Sequence, residues 1–180
     1  MRGTTLRYNQ KGADAIYNAI KGAGIDFVTY LPDSWLREVN RLLAKDKDIE
    51  HILATREDEA LAIACGGYIA GRKTAVLMEG SGWGLVGLVI ARIAYLHHVA
   101  SLIISSHTGG EGEFAYYHSE SRYLVEPTLK AFNIPYRVLD RIEDASGVIL
   151  RSQWAVEMQK VPIAVILPGH ILWEGYDEAD

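Results

Sequence analysis

The sequence predicts an α/β fold, a mostly parallel six-stranded sheet with helices on both faces. Three observations predict it. Short apolar segments alternate with longer segments of helical periodicity. The short segments are apolar at successive positions rather than alternate ones, as in strands covered on both faces. The 180 residues, 49% hydrophobic and 23% charged, suffice for one domain with its own core and exclude a disordered chain. The expected unit is a single domain over 1–180, with its core at about 10–167 and an acidic, frayed tail at 174–180.

The elements follow in order. Gln10–Lys21 reads as a helix, with Ala13, Ile16, Tyr17 and Ile20 on one face. Ile25–Tyr30, after Gly22 and Gly24, reads as a buried strand. Ser34–Leu43 reads as a helix, with Ser34 as N-cap behind Pro32 and Asp33. Glu50–Ala54 is a second strand, Glu57–Ala70 a helix closed by Gly71, and Thr74–Met78 a third strand. The glycine-rich turn Gly80–Gly84 leads into an apolar helix ending near Tyr95. Ser101–Ser105 is a fourth strand, followed by a loop with Gly109, Gly110 and Gly112 and a helix over Ser119–Phe132. Pro135–Leu139, Ile142–Gln159 and Val161–Leu167 complete the pattern as strand, helix and strand. Open sheets of this kind bind ligands at the carboxyl ends of their strands. The loops that matter are therefore Leu31–Ser34, Thr55–Asp58, Glu79–Gly84 and Ser106–His118.

Composition excludes several functions. A net charge of −5 without a Lys/Arg cluster argues against a nucleic-acid partner. The single cysteine, Cys65, excludes an internal disulfide and a multi-thiolate metal site, and amid Ala62, Ile63 and Ala64 it reads as a small buried hydrophobe. The most apolar stretch, Trp83–Ser105, contains Arg92, His97 and His98, so it reads as a buried helix and strand rather than a membrane span. Met1–Lys11 is polar and lacks a signal-peptide core, so the expected location is the cytoplasm.

Several motifs compete. Gly82–Gly87 matches the dinucleotide fingerprint G-x-G-x-x-G between a strand and a helix. The place of the ribose-binding carboxylate is taken by Ser105, Ser106 and His107, so a nicotinamide site is the alternative and a tight turn the main reading. His107, Glu111, Glu113 and His118 share one loop, but their spacing fits no fixed zinc pattern, and no metal site is expected. Trp83 either faces a ligand or partner or simply packs. In Thr55–Glu59, Thr55 with Asp58 resembles a capping box.

Together these segments resemble the phosphonopyruvate and sulfopyruvate decarboxylases. The stretches that carry the likeness are Asp26–Ser34, Arg56–Gly71, Ala75–Gly84, Ile103–Glu113 and Ala131–Tyr136, an ordered set spanning about 10–167. The likeness is to the pyrimidine-binding domain of thiamine diphosphate enzymes. In the sulfopyruvate type that domain is a separate α subunit, and a β subunit carries the diphosphate and Mg²⁺ site with a Gly-Asp-Gly…Asn motif; no Gly-Asp-Gly occurs here. The resemblance implies half an active site, completed in a hetero-oligomer, acting on a small 2-oxo acid. It implies that Glu57 is the carboxylate that activates the aminopyrimidine, through a hydrogen bond to N1′ that favours its imino tautomer. Gly82, Trp83 and Gly84 would bring backbone against the pyrimidine ring, and Asp33, Ser34, His107 and His118 would line the substrate side.

The sequence also departs from the family. The turn usually reads Gln-Asn-Ser-Gly-(Leu/Phe)-Gly-Asn, whereas here Glu79, Gly80, Trp83 and Leu85 replace the Gln, the first Asn, the apolar residue and the final Asn. Thr108 stands where the family loop usually has Arg, the natural partner of a sulfonate or phosphonate, with Arg122 as a possible substitute. A less charged or aromatic 2-oxo acid, or an acyloin-forming carboligase reaction, is therefore an alternative.

Overall fold

The computed structural model describes residues 5–109 and 116–177. Gly110, Glu111, Gly112 and Glu113, named above for the loop, lie outside the described residues, as does the end of the acidic tail. Six strands form one all-parallel sheet: β2 (Phe27–Tyr30), β3 (Glu50–Leu53), β4 (Thr74–Met78), β5 (Leu102–His107), β6 (Tyr136–Val138) and β7 (Ile163–Pro168), in the order β3-β2-β4-β5-β7-β6. All six were expected from the sequence, within a few residues at their ends.

The pleat explains why the strands read as continuous apolar runs. Successive side chains point to opposite faces, and both faces are covered. Ala75 and Leu77, Leu102 and Ile104, and Ile163 and Val165 enter one core, with helices α1 (Gln10–Gly22), α2 (Arg37–Leu43) and α6 (Ala145–Gln159). Val76 and Met78, Ile103, and Ala164 and Ile166 enter the other, with α3 (Glu57–Ile69), α4 (Gly87–Val89) and α5 (Ser121–Ala131). The helix expected after the glycine turn is irregular. A 3₁₀ turn over Gly80–Gly84 precedes α4, and a π-helical segment, Ile90–Tyr95, follows it. No helix among the described residues is long and apolar enough to cross a membrane.

Two findings differ from expectation. The end of the chain is paired, not frayed, through Asp177: after α7 (Gly169–Leu172), strand β8 (Trp173–Asp177) runs antiparallel to β1 (Thr5–Tyr8). Helix α2 starts at Arg37, and Ser34 does not cap it. Instead the Asp33 carboxylate accepts the Trp35 N–H at 3.0 Å, a side-chain turn that holds the chain out of helix for two more residues.

The strand order places the crevice. The chain passes from β2 outward to β3 and then returns across β2 to β4, so the connections reverse between β2 and β4. Tyr30 pairs with Leu77, Met78 with Ser105 and His107 with Pro168, which brings the carboxyl ends of the central strands level. The segments after β2 and β4 meet the carboxyl end of β5 there, as the general rule for such sheets requires.

Candidate active site

Helix α3 begins at the crevice. Thr29, fully buried on β2, donates its hydroxyl to the Ala60 carbonyl at 2.9 Å and ties the first turn of α3 to the sheet. Ala60, Leu61 and Ala64 then seat the helix on the core. Three consecutive carboxylates occupy its start, and two of them are committed. Asp58 accepts the Arg56 guanidinium at 3.0 and 3.1 Å. Glu59, rather than the expected Asp58, is the partner of Thr55, accepting its N–H at 2.7 Å and its hydroxyl at 2.6 Å. Glu57 is half-buried and has no hydrogen bond or ion pair within the described residues.

The glycine turn lies directly against it. A Cβ on Gly82 would stand 3.1 Å from Glu57 Cβ and 3.2 Å from Cδ, and closer still to Cγ, so only glycine lets the turn approach this far. A Cβ on Gly80 would stand 2.9 Å from the Ser106 carbonyl oxygen of β5. Gly84 and Gly87 pack on Leu124 and Phe132 of the α5 region. Side-chain packing thus accounts for Gly82 and Gly87 of the apparent dinucleotide fingerprint, whereas a Cβ on Gly84 would meet Leu124 at an ordinary 3.4 Å. The Trp83 indole is 1% exposed within the core beneath α3 and α4, so it packs rather than facing a ligand, and what this position offers the crevice is backbone.

Beside this pair lies a second, buried polar group. Asp33 accepts the Ser106 hydroxyl at 2.8 Å as well as the Trp35 N–H. Burial raises its pKa, opposed by those hydrogen bonds and by His118. Glu79, at the end of β4, also has a raised pKa, from burial first and then from the neighbouring Asp33, with His118 opposing. His118 is buried, its ring centroid 6.0 Å from that of Trp35. The structure therefore brings Asp33 and His118 together and adds Glu79 and Ser106, which the sequence reading did not assign to the site. The signal for Glu79 was present: a carboxylate replacing a neutral amide at a strand end.

His107 stands apart: it follows Ser106 on β5, so it points to the opposite face, where it lies near Glu126 and burial lowers its pKa. Ser34 is exposed and lines an open depression of about 470 Å³ together with Asp33, Tyr8, Tyr30, Pro32 and Arg37. Among the described residues, no group of three or more His, Cys, Asp or Glu side chains is placed to hold a metal ion.

Comparison with known proteins gives a consistent picture. The family described as thiamine pyrophosphate enzyme, N-terminal TPP binding domain, matches residues 10–113. The chain is 34% identical over 163 residues to the protein named sulfopyruvate decarboxylase subunit alpha of Methanococcus maripaludis, covering 90% of this chain and 96% of that one. With the protein of the same name from Methanothermobacter thermautotrophicus it shares 37% identity over 151 residues, covering 80% and 92%. Among solved structures, benzoylformate decarboxylase from Polynucleobacter necessarius has the same fold, with a TM-score of 0.68 at 21% identity. That match covers 94% of this chain but 32% of the other, so the present chain spans about a third of that longer protein.

Proposed function

The chain belongs to the thiamine pyrophosphate enzymes and is a decarboxylase subunit of that family, and from that premise we propose that it is the α, pyrimidine-binding subunit of a two-subunit 2-oxo acid decarboxylase. Glu57 is the cofactor-activating residue in this reading. The observation that carries it is the contrast at the start of α3: Asp58 and Glu59 are tied to Arg56 and Thr55, while Glu57 is held against the Gly82 turn with its carboxylate uncommitted.

These residues suit an aminopyrimidine. Glu57 would hold a proton between its carboxylate and N1′, and the Gly82–Gly84 backbone would lie against the ring. When bound, thiamine diphosphate supplies the electron sink that lets a 2-oxo acid release carbon dioxide. Asp33 and His118 would face the substrate, with Ser34 beside Asp33 at its margin, while His107, on the opposite face of β5, is left out of this reading. The diphosphate and Mg²⁺ fall to a β subunit with a Gly-Asp-Gly…Asn motif, so that active sites form between chains. The name "subunit alpha" carried by the relatives supports a multi-subunit assembly.

Glu57→Gln tests the reading. Glutamine keeps the size but cannot balance a protonated N1′, and losing a positioned acid–base group typically costs about 10²–10⁴ in rate. The expected result, in the reconstituted complex, is a loss of kcat in that range with an unchanged melting temperature. Glu59→Gln is the control: it loosens the Thr55 contact, lowers the melting temperature slightly and leaves turnover in place. Near-normal turnover in the Glu57 variant, or an equal loss in the control, would sink the assignment.

A further inference from the structure

The open edge of the sheet carries a second cleft. Strand β6 is three residues long and pairs only with β7, so the sheet ends there. Helix α6 packs against α1, β7 and β5, and between it and the edge strand lies a cleft of about 390 Å³. The pleat sends Arg137 toward it. Its register partner Val165 enters the core that α6 covers, so Arg137 leaves β6 on that same face. Val148, Ala155 and Ile163 supply apolar walls, and Arg151, Ser152 and Gln159 of α6 add polar groups. In a chain of net charge −5, no carboxylate lines this cleft among the described residues. Arg137 has no hydrogen bond or ion pair among those residues. Arg151 lies over Gly147, and the carboxylate in its field, Asp144, is already held by Arg141 at 2.9 and 3.2 Å. Ser152 is 4% exposed, and its hydroxyl has no hydrogen-bond partner among the described residues.

We propose that this cleft binds a small organic oxyanion, a carboxylate or a phosphate monoester with an apolar body. The inference does not depend on the decarboxylase reading. The cleft reaches Pro135 and Ile163 at the amino ends of β6 and β7, whereas Glu57 and the Gly82 turn lie at the carboxyl ends of the strands. A single charge on an edge strand serves to block extension of the sheet. Two guanidinium groups from different elements, lining one cleft with no acid between them, repel each other until an anion joins them. Each guanidinium presents a planar fork that matches two oxygens of a carboxylate or phosphate. The Ser152 hydroxyl adds a donor on a rigid helix, and the Gln159 amide adds a donor and an acceptor. The apolar walls take the body of the ligand. The volume falls within the roughly 300–1,000 Å³ of small-molecule sites, where a few polar groups fix orientation inside an apolar lining.

The test titrates the full chain with phenyl phosphate and with phenylacetate, and with inorganic phosphate and benzyl alcohol as probes of the charge and the ring alone. Calorimetry gives the affinity, and amide NMR shifts give the location. The expected result is saturable binding of at least one aromatic anion, about tenfold or more tighter than either probe, with shifts confined to β6 and the facing turns of α6. The stronger of the two anions tells phosphate from carboxylate. Arg137→Gln and Arg151→Gln, both at exposed side chains, are each expected to weaken binding by about tenfold or more. Ala155→Leu fills the cleft with both arginines in place, and should remove the advantage of the aromatic anions over inorganic phosphate. Arg141→Gln, whose side chain is tied to Asp144 outside the cleft, should bind as the native chain does. Melting curves establish that each variant is folded, and should Ala155→Leu fail to fold, the two arginine variants and the shift map decide. Binding that survives both arginine variants, shifts centred on another surface, or no saturable binding of either aromatic anion would overturn the inference. So would inorganic phosphate or benzyl alcohol binding as tightly as the aromatic anions. Turnover by the reconstituted complex tests the decarboxylase reading separately.

Discussion

Glu57 and Gly82 act as one device. The carboxylate has its position because a turn from another strand lies against its methylene groups, and that turn can lie there only without a side chain. Gly82→Ala should therefore displace Glu57 rather than merely crowd it. Inserting a methyl into such a contact costs about 1–3 kcal/mol, and, on the proposed role of Glu57, a shift of its carboxylate by a fraction of an ångström should lower kcat by about tenfold to a hundredfold. Gly66→Ala is the comparison, since a Cβ there meets nothing within 4 Å and should leave kcat nearly intact. Steady-state rates and melting curves of the two variants check this; equal effects would mean that the turn does not position Glu57. At this scale the sequence singled out Glu57 through a family motif, and the structure shows where that carboxylate lies: at the start of α3, against the Gly82 turn. For Glu79 the sequence showed a carboxylate in place of an amide but not its electrostatic neighbours Asp33 and His118, which only the fold brings to it.

The regular elements were legible because their physics is local. A strand apolar at successive positions has one home, between two layers, and the cores on either face of the sheet take its side chains alternately. Boundaries failed where a side chain competes with the backbone, as Asp33 does ahead of α2. The β1–β8 pairing was invisible because its two short segments meet across nearly the whole chain. One pairing of elements has a pH signature. His51 of β3 stacks on Tyr30 of β2 with centroids 3.9 Å apart and planes 7° off parallel, and its Nε2 lies 3.2 Å from Asn40 Oδ1 of α2. Burial pushes its pKa down from 6.5 to about 4. The folded state therefore favours the neutral ring, and the unfolded chain takes the proton first. This contribution is complete above pH 6.5 and is lost as the pH falls toward 4. Urea midpoints measured across that window should fall more steeply for the native chain than for His51→Phe, which keeps a stacked ring but cannot titrate. Parallel curves would show that His51 is not the group responsible.

For the whole molecule, the proposed division of labour predicts weak cofactor binding by the isolated chain. Most of the charge of thiamine diphosphate lies on its diphosphate and metal, which the partner would hold. Calorimetry should find tight binding only after the partner is added, and sedimentation should show the chain moving into a larger complex. Tight binding by the chain alone would contradict the division. The ribbon of β1 and β8 has a further consequence, for chain connectivity. It sets Thr5 opposite Asp177, on a two-stranded sheet separate from the six strands that carry the crevice. A short linker could join those paired strand ends, and the chain could be reopened elsewhere. The bond between Lys160 and Val161 is suited to this: Lys160 is exposed, left-handed at φ 54°, and lies ahead of the amino end of β7, away from the site. Such a circular permutant should melt within a few degrees of the native chain and bind its partner equally well, as melting curves and calorimetry would record, because the order of covalent connection matters less to this fold than the closure its ribbon already provides.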